Sequence, residues 1–491
     1  MASRDAVRPN IVLVLADDQG HWALGSAGND ELRTPHLDAL ARGGARFSNF
    51  FCVSPVCSPA RASLLTGRIP SQHGLHDWLR GGNSPEEPAR PGVVIEYLAG
   101  QIGTTDILAR EGWVCGISGK WHLGDSLHPQ KGFSFWEVHA IGGAAYYGAP
   151  MVHDGAIYRE PRYVTDAITD NALRFLDERA EEERPFYLSL HYTAPHSPWE
   201  REQHPADIYD SYFRDCPFDS IPREPMHPWQ ANTAPYGYDE NSRRAILSGY
   251  FAAITAMDAN VGRVMARIDA LGLAGNTLVI FTSDNGMNMG HHGIYGKGNG
   301  TFPLNMYDTS VKVPMVISRP GHVPAGRTCD AMLSHYDVMP TLLDYLGIEG
   351  EAPDGLPGRS FAPLLRGKPL CGRPFDGRDE VVVYDEYGPV RMIRTREWKY
   401  VHRYPYGPHE LYDLVNDPDE RRDLVGEPDR QEVIVEMRRR LEEWFFRYVD
   451  PAVDGAREPV TGRGQIGLAG VRACGTQSYA QDWKHLTPTP A

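Results

Sequence analysis

Apolar residues follow two rhythms along this chain. The first is a set of short unbroken runs: NIVLVLA (10–16), WVCGISG (113–119), FYLSLHY (186–192), TLVIFTS (277–283) and VPMVIS (313–318). Runs of this length, apolar at nearly every position, predict strands buried on both faces. The second is the three-to-four spacing of amphipathic helices. TPHLDALARGG (34–44) predicts a capped helix that stops at glycines, and RRAILSGYFAAITAMDANVGRVMARIDALG (243–272) predicts a long one. Alternating strands and helices predict an α/β fold, with a large, mostly parallel sheet sandwiched by helices.

The rhythm breaks twice. Residues 200–242 are rich in Pro, Asp, Tyr and Trp without periodicity and predict a long loop or insertion. Near residue 370 the strands become short and closely spaced: VVVYDEY (381–387), VRMIRTRE (390–397) and WKYVHRY (398–404). They predict an antiparallel sheet, followed by a helix in PDRQEVIVEMRRRLEEWFFRYV (428–449). The expected domains are therefore a catalytic α/β unit over 1–370, a C-terminal subdomain of antiparallel sheet and helix over 371–450, and an irregular tail over 451–491.

A chain of 491 residues has room for one large domain and one or two smaller ones. A net charge of -15 argues against a nucleic-acid partner, and an anionic substrate then needs a local positive pocket. No apolar run reaches membrane-spanning length, so no membrane partner is expected. The N-terminal run ends in Asp17-Asp18 after a few residues and reads as a strand, not a leader. Seven scattered cysteines suit a reducing compartment, and the expected location is the cytoplasm.

Ligand sites of open parallel sheets lie outside the carboxyl ends of the strands. The residues directly after each buried run are Asp17 and Asp18, then Lys120 and His122, then His196, then Asp284 and Asn285, with His292 and Lys297 a little later. One Asp after a strand is usually a cap. Two acidic-type pairs at two strand ends point to a hard cation, Ca²⁺ before Mg²⁺ or Mn²⁺, because oxygen-only donors disfavour Zn²⁺. Arg61, Lys120 and Lys297 converging on that cation make a pocket for sulfate or phosphate.

The stretch CVSPVCSPARASLLTGR (52–68) adds Cys57. Pro59 and Gly67 bracket a short helix, which puts Cys57 at its N-terminus, where the partial positive charge lowers a thiol pKa. Arg61, four residues on, shares its face.

CSPARASLLTGR resembles the signature of the type I, formylglycine-dependent sulfatases of the alkaline phosphatase superfamily. NIVLVLADDQG, TPHLDALARGGARFSNFF, GKWHLG, TAPHSPW, SDNG and GIYGKG stand in that family's order, and ELYDLVNDPDERRDL (410–424) resembles its C-terminal motif. The resemblance implies an alkaline-phosphatase-like fold and the release of inorganic sulfate from an organic sulfate ester. It implies that Cys57 is converted to formylglycine by a separate formylglycine-generating enzyme. A hydroxyl of the hydrated aldehyde would attack sulfur, and a base would then expel sulfate and regenerate the aldehyde. In this reading His122 is that base. Lys120, Lys297 and His196 hold sulfate oxygens, and His196 also protonates the leaving oxygen. Asp17, Asp18, Asp284, Asn285 and the modified residue 57 bind the metal.

Two rivals stay open: a phosphonate monoester or phosphodiester hydrolase on the same scaffold, and an inactive anion-binding homologue. Asn285 stands where the phosphonate hydrolases usually carry His, which favours the sulfatase. For the organic part of the substrate, a sulfated carbohydrate before an aryl sulfate, the rim offers His76, Trp78, Arg80, Tyr146, Tyr147, His153 and His292. Loop packing is the equal alternative for Trp78 and the tyrosines.

Overall fold

The structure is a computed structural model that describes residues 8–231, 234–367, 379–385 and 390–481. Its frame is a ten-stranded sheet. From one edge the order is Arg327–Cys329, Ala45–Phe47, Met315–Ser318, Thr277–Ser283, Asn10–Ala16, Phe186–His191, Val114–Gly119, Phe133–His139, Ala149–His153 and Ala156–Glu160. The strand Asn10–Ala16 is buried at every position. Ile11, Leu13 and Leu15 enter one core and Val12, Val14 and Ala16 the other, as alternation across a doubly covered sheet requires.

The five strands from Thr277–Ser283 through Phe133–His139 are parallel. Both flanks turn antiparallel, at Met315–Ser318 on one side and in the Ala149–His153 and Ala156–Glu160 hairpin on the other. The sheet is thus mixed around a parallel centre. The hairpin and Phe133–His139 were not predicted, because their half-exposed edges break the all-apolar pattern. Helices Pro35–Arg42, Val164–Ala180 and Glu240–Ala270 cover one face. The long helix begins at an Asp239 cap, whose carboxylate accepts from the Asn241 and Ser242 N–H groups at 3.0 Å each.

The expected loop at 200–242 holds a helix, Ala206–Asp215. Tyr209 and Tyr212 bury themselves one turn apart against the long helix, a stripe that the acidic and polar residues around them conceal in the sequence. Part of this stretch, residues 232–233, lies outside the described residues.

The antiparallel sheet has strands Glu380–Asp385, Val390–Thr395, Trp398–Arg403 and, in addition, Glu410–Asp413. The expected domain boundary at 370–371, and the residues 386–389 where strands 381–387 and 390–397 were to meet, lie outside the described residues. One face of this sheet, Val381, Val383, Val390, Met392 and Val401, joins the core beneath the large sheet. The other, with Val382, Tyr384, Ile393 and Tyr400, packs on the helix Gln431–Tyr448. Each such side chain contributes about 1.5–3 kcal/mol when buried, so the two sheets are held as one hydrophobic unit.

Charges also span that junction. Arg394 donates to both oxygens of Asp308, at 3.1 and 3.0 Å. Lys399, fully buried, reaches Asp308 Oδ1 at 2.6 Å and pairs with Glu420. The Asp308 N–H closes the ring on Glu420 Oε2 at 2.7 Å.

The tail carries no regular element longer than four residues between 451 and 481, and residues 482–491 lie outside the described residues. Its middle nevertheless returns to the segment after the Cys57 helix and pairs Gln465 with Leu79 as a parallel bridge. Among the described residues, no helix is long and apolar enough to cross a membrane.

Candidate active site

Four parallel strands end at one level. Ala16 is in register with Ser283, and His191 is in register with both Leu15 and Gly119. The next residues of these strands therefore emerge side by side: Asp17 and Asp18, Asp284 and Asn285, Lys120, and the turn toward His196. The helix Cys57–Thr66 lies with its first residue at this rim.

Lys120 Nζ donates to Asp17 Oδ2 at 2.5 Å, and Lys297 Nζ donates to Asp18 Oδ1 at 2.6 Å. Arg61 Nε donates to Asp284 Oδ2 at 2.9 Å and its Nη1 to the Lys120 carbonyl at 3.1 Å. Asn285 Nδ2 donates to Asp18 Oδ1 at 2.8 Å. The Asp18 N–H donates to Asp284 Oδ1 at 3.1 Å from a left-handed backbone, φ 68°. Lys297 Nζ lies 3.5 Å from Cys57 Sγ. His196 places Nε2 3.7 Å from Asp18 Oδ2 while its Nδ1 donates to the Ser197 carbonyl at 2.6 Å.

Burial pushes the Asp17 carboxyl up, but Lys120, His196 and Arg61 together outweigh it and hold the group below the ordinary carboxylate value. Asp18 is lowered in the same way, with Lys297 the main opponent of its burial. At Cys57 the balance reverses. Burial raises the thiol, and Lys120 and Lys297 do not compensate, which corrects the lowered pKa expected at the helix mouth.

Burial and then Lys120 push His122 well below the ordinary imidazole value, so it is neutral. Its Nε2 lies 2.9 Å from the Leu79 carbonyl, which an N–H must face, and Nδ1 is left buried without a hydrogen-bond partner. Gly142 passes directly over this ring. A Cβ there would sit 2.2 Å from His122 Nε2, so the loop can follow this path only with glycine.

The donor set fits a cation. Ligand atoms of Asp17, Cys57 and Asp284 lie within 4.8 Å of one another, all buried. Asp17 Oδ1 and Asn285 Oδ1 are buried without a hydrogen-bond donor. Orphaned oxygens among clustered carboxylates are the groups that a hard cation satisfies.

The sequence missed several neighbours. His139 ends a strand and bonds Thr193 Oγ1 at 2.9 Å, with burial pushing it down to about 3. His335 Nε2 reaches the Ser283 carbonyl at 3.0 Å, and the Tyr250 hydroxyl donates to the Asp18 carbonyl at 2.9 Å. His139 alone had a signal, an imidazole at the end of a largely apolar run.

The rim residues fare differently. His76 is fully enclosed, and burial pushes it down to about 3; this corrects its expected substrate contact. Tyr146 is enclosed as well, and its hydroxyl donates to the His196 carbonyl at 2.8 Å, so it supports His196 instead of facing a substrate. Trp78 and Arg80 are half-buried against Gly464 of the tail. His153 pairs with Glu137 at 2.7 Å, and His292 stacks on Tyr307 with ring centres 3.8 Å apart. Tyr147 is 40% exposed.

Comparison with known proteins agrees with this geometry. A family model described as Sulfatase matches residues 9–348, and one described as N-sulphoglucosamine sulphohydrolase, C-terminal, matches residues 290–445. The N-acetylglucosamine-6-O-sulfatase of Bacteroides thetaiotaomicron is 27% identical across 90% of this chain and 87% of its own length. Arylsulfatase A of Homo sapiens is 30% identical across 84% of this chain and 82% of its own length. A solved protein in complex with its substrate D-glucosamine-2-N,6-O-disulfate superposes with a TM-score of 0.76 at 25% identity, over 91% of this chain and 99% of that one. The phosphonate monoester hydrolase of Agrobacterium radiobacter, 23% identical, shares the fold with a TM-score of 0.68 over 93% of this chain and 99% of its own.

Proposed function

The chain belongs to the sulfatase family and hydrolyses sulfate esters, and we propose that it acts on a sulfated carbohydrate through a formylglycine at position 57 and one Ca²⁺. Asp17, Asp18, Asp284, Asn285 and residue 57 would hold the cation. When bound, it polarises a sulfate oxygen and lowers the pKa of a coordinated hydroxyl. Formylglycine supplies a hydrated aldehyde, a nucleophile that clears itself without a second attack by water.

The chain's own residues do the rest. Arg61, Lys120 and Lys297 surround the sulfate with fixed positive charge in a dry pocket, where such charge is strongest. His122 offers the free Nδ1 lone pair to a proton from residue 57 while its Nε2–H stays on the Leu79 carbonyl. His196, oriented by Ser197, turns Nε2 toward the leaving oxygen.

The observation that carries this reading is Cys57 Sγ, held 3.5 Å from Lys297 Nζ and within ligand reach of Asp17 and Asp284. The carbohydrate assignment is supported by relatives named for amino-sugar sulfates and for ulvan. The described cysteines, none joined in a disulfide, support a reducing compartment such as the cytoplasm.

The test is turnover of an aryl sulfate, a sulfated amino sugar and a matched phosphonate ester. The protein would be co-produced with a formylglycine-generating enzyme, with Cys57→Ala as control. Sulfate turnover that favours the sugar and vanishes in the variant is expected. Preference for the phosphonate, or turnover surviving in Cys57→Ala, would overturn the proposal.

A further inference from the structure

Gln465 lies in the irregular tail, far along the chain from every site residue, yet it is 0% exposed. Both ends of its amide are engaged. Oε1 accepts from the His76 N–H at 3.0 Å, and Nε2 donates to the Gly74 and Gly467 carbonyls, each at 3.0 Å. Its backbone N–H donates to the Trp78 carbonyl at 2.8 Å, and its carbonyl accepts from the Arg80 N–H at 2.9 Å. The neighbouring Gly464 N–H donates to Asp77 Oδ2 at 3.0 Å. Residues 74–81 form no helix and no sheet strand of their own, so the bridge is a main restraint on their path, beside Ser58 and Asn83 at Leu79 and Tyr97 at Gly81.

Leu79 sits in the middle of that stretch. Its N–H donates to Ser58 Oγ at 3.1 Å, one residue from Cys57. Its carbonyl accepts from His122 Nε2 at 2.9 Å and from Asn83 Nδ2 at 3.0 Å. The backbone of Leu79 therefore spans the gap between the residue that attacks and the residue that takes the proton. A carbonyl in that place selects the imidazole tautomer with Nε2–H and leaves Nδ1 free.

We infer that Gln465 is a positioning residue for sulfate-ester hydrolysis: by pinning residues 74–81 it fixes the Leu79 carbonyl, which holds His122 with Nδ1 turned to the site. This rests on the assignment of His122 as proton acceptor. A displacement of about 1 Å in such a group costs roughly 10²-fold in rate, so the tail is coupled to turnover through a single hydrogen bond.

The test uses the full-length protein. Gln465→Met keeps the volume and removes all three side-chain hydrogen bonds, and Gln465→Ala also empties the space. Each is made in the wild type and in His122→Ala, and kcat, KM and thermal unfolding are measured. Val471→Ala, at an exposed position of the same tail, is the control. In the wild type, the Gln465 variants are expected to lower kcat by about tenfold or more while KM stays within about twofold. In His122→Ala they are expected to add less than about twofold, because the group they position is gone.

An equal fold-loss in both backgrounds overturns the inference, as does a kcat loss that only tracks the fraction unfolded. If Gln465→Ala does not fold, Gln465→Met carries the same comparison. Wild-type kcat in His122→Ala itself would instead refute the assignment of His122, and the inference with it.

Discussion

Two buried charge clusters stand in this protein, built from the same residue types and put to opposite uses. One is the rim cluster of Asp17, Asp18, Asp284, Arg61, Lys120 and Lys297. The other, Asp308, Arg394, Lys399 and Glu420, bolts the small sheet to the large one. At the junction both Asp308 oxygens face Arg394, and Lys399 bridges the two carboxyl groups. At the rim the pairing is looser: Asp17 Oδ1 meets Arg61 Nη2 at 3.6 Å, beyond hydrogen-bond length, and Asn285 Oδ1 and His122 Nδ1 are buried without a hydrogen-bond partner, whereas at the junction Glu420 Oε1 pairs closely with Lys399. Burial alone therefore does not mark a site. Looser pairing inside the charge cluster sets the rim apart, and under the proposed mechanism a cation, a sulfate and a proton would take up what it leaves open.

The sharpest cut between the clusters is Cys57→Ala. It removes the precursor of the proposed formylglycine and should lower kcat on the order of 10⁶-fold, with stability changed by about 1 kcal/mol or less. Turnover assays beside thermal unfolding decide this, and a large loss of stability would mean that the rim cluster is structural too.

The mirror experiment is Lys399→Met. It takes the shared cation from two buried carboxyl groups and should cost about 3–5 kcal/mol of stability while kcat per folded molecule is unchanged. Urea unfolding and active-site-normalised rates separate the two, and a fall in normalised kcat would erase the contrast. A smaller effect sharpens it. After chelation, Ca²⁺ returned at about a hundred times its Kd should add about 2.7 kcal/mol to the wild type. Asp17→Asn should gain much less. Equal gains in both, or none with Ca²⁺, Mg²⁺ or Mn²⁺, would show that the open oxygens are not a cation site. Smallest of all is Arg438→Ala on the outer helix. Its pair with Glu442 is exposed on both sides, and its loss should shift stability by no more than about 0.5 kcal/mol.

Much of the rim was legible in the sequence because parallel strands present their next residues along one edge. Asp17, Lys120, His196 and Asp284 come after apolar runs, and registry of the strand ends alone brings them together. The rest lacked such a rule. The outer hairpin is half-exposed and lost its periodicity. The Tyr209 and Tyr212 stripe is diluted by acids. The pKa of Cys57 is set by how deeply the chain around it closes, which a helix N-terminus by itself does not reveal. Burial of His76 and Tyr146 depends on segments remote in sequence, Gln465 and Gln203, that no local pattern announces. A glutamine in a Gly- and Pro-rich tail carries no signal at all until its partners are seen.

The bridge from the tail also sets a timetable. His76 and Gln465 are 389 residues apart, so at 5–20 residues per second a ribosome takes roughly 20–80 s to make the second after the first. Throughout that interval the stretch beside Cys57 lacks its restraint from the tail and keeps only local ones, such as Ser58 and Asn83 at Leu79. A prematurely terminated chain would carry the cysteine and the metal ligands and still lack the piece that sets the proton acceptor. Under the inferred role of Gln465, full catalytic competence is thus deferred to the end of synthesis.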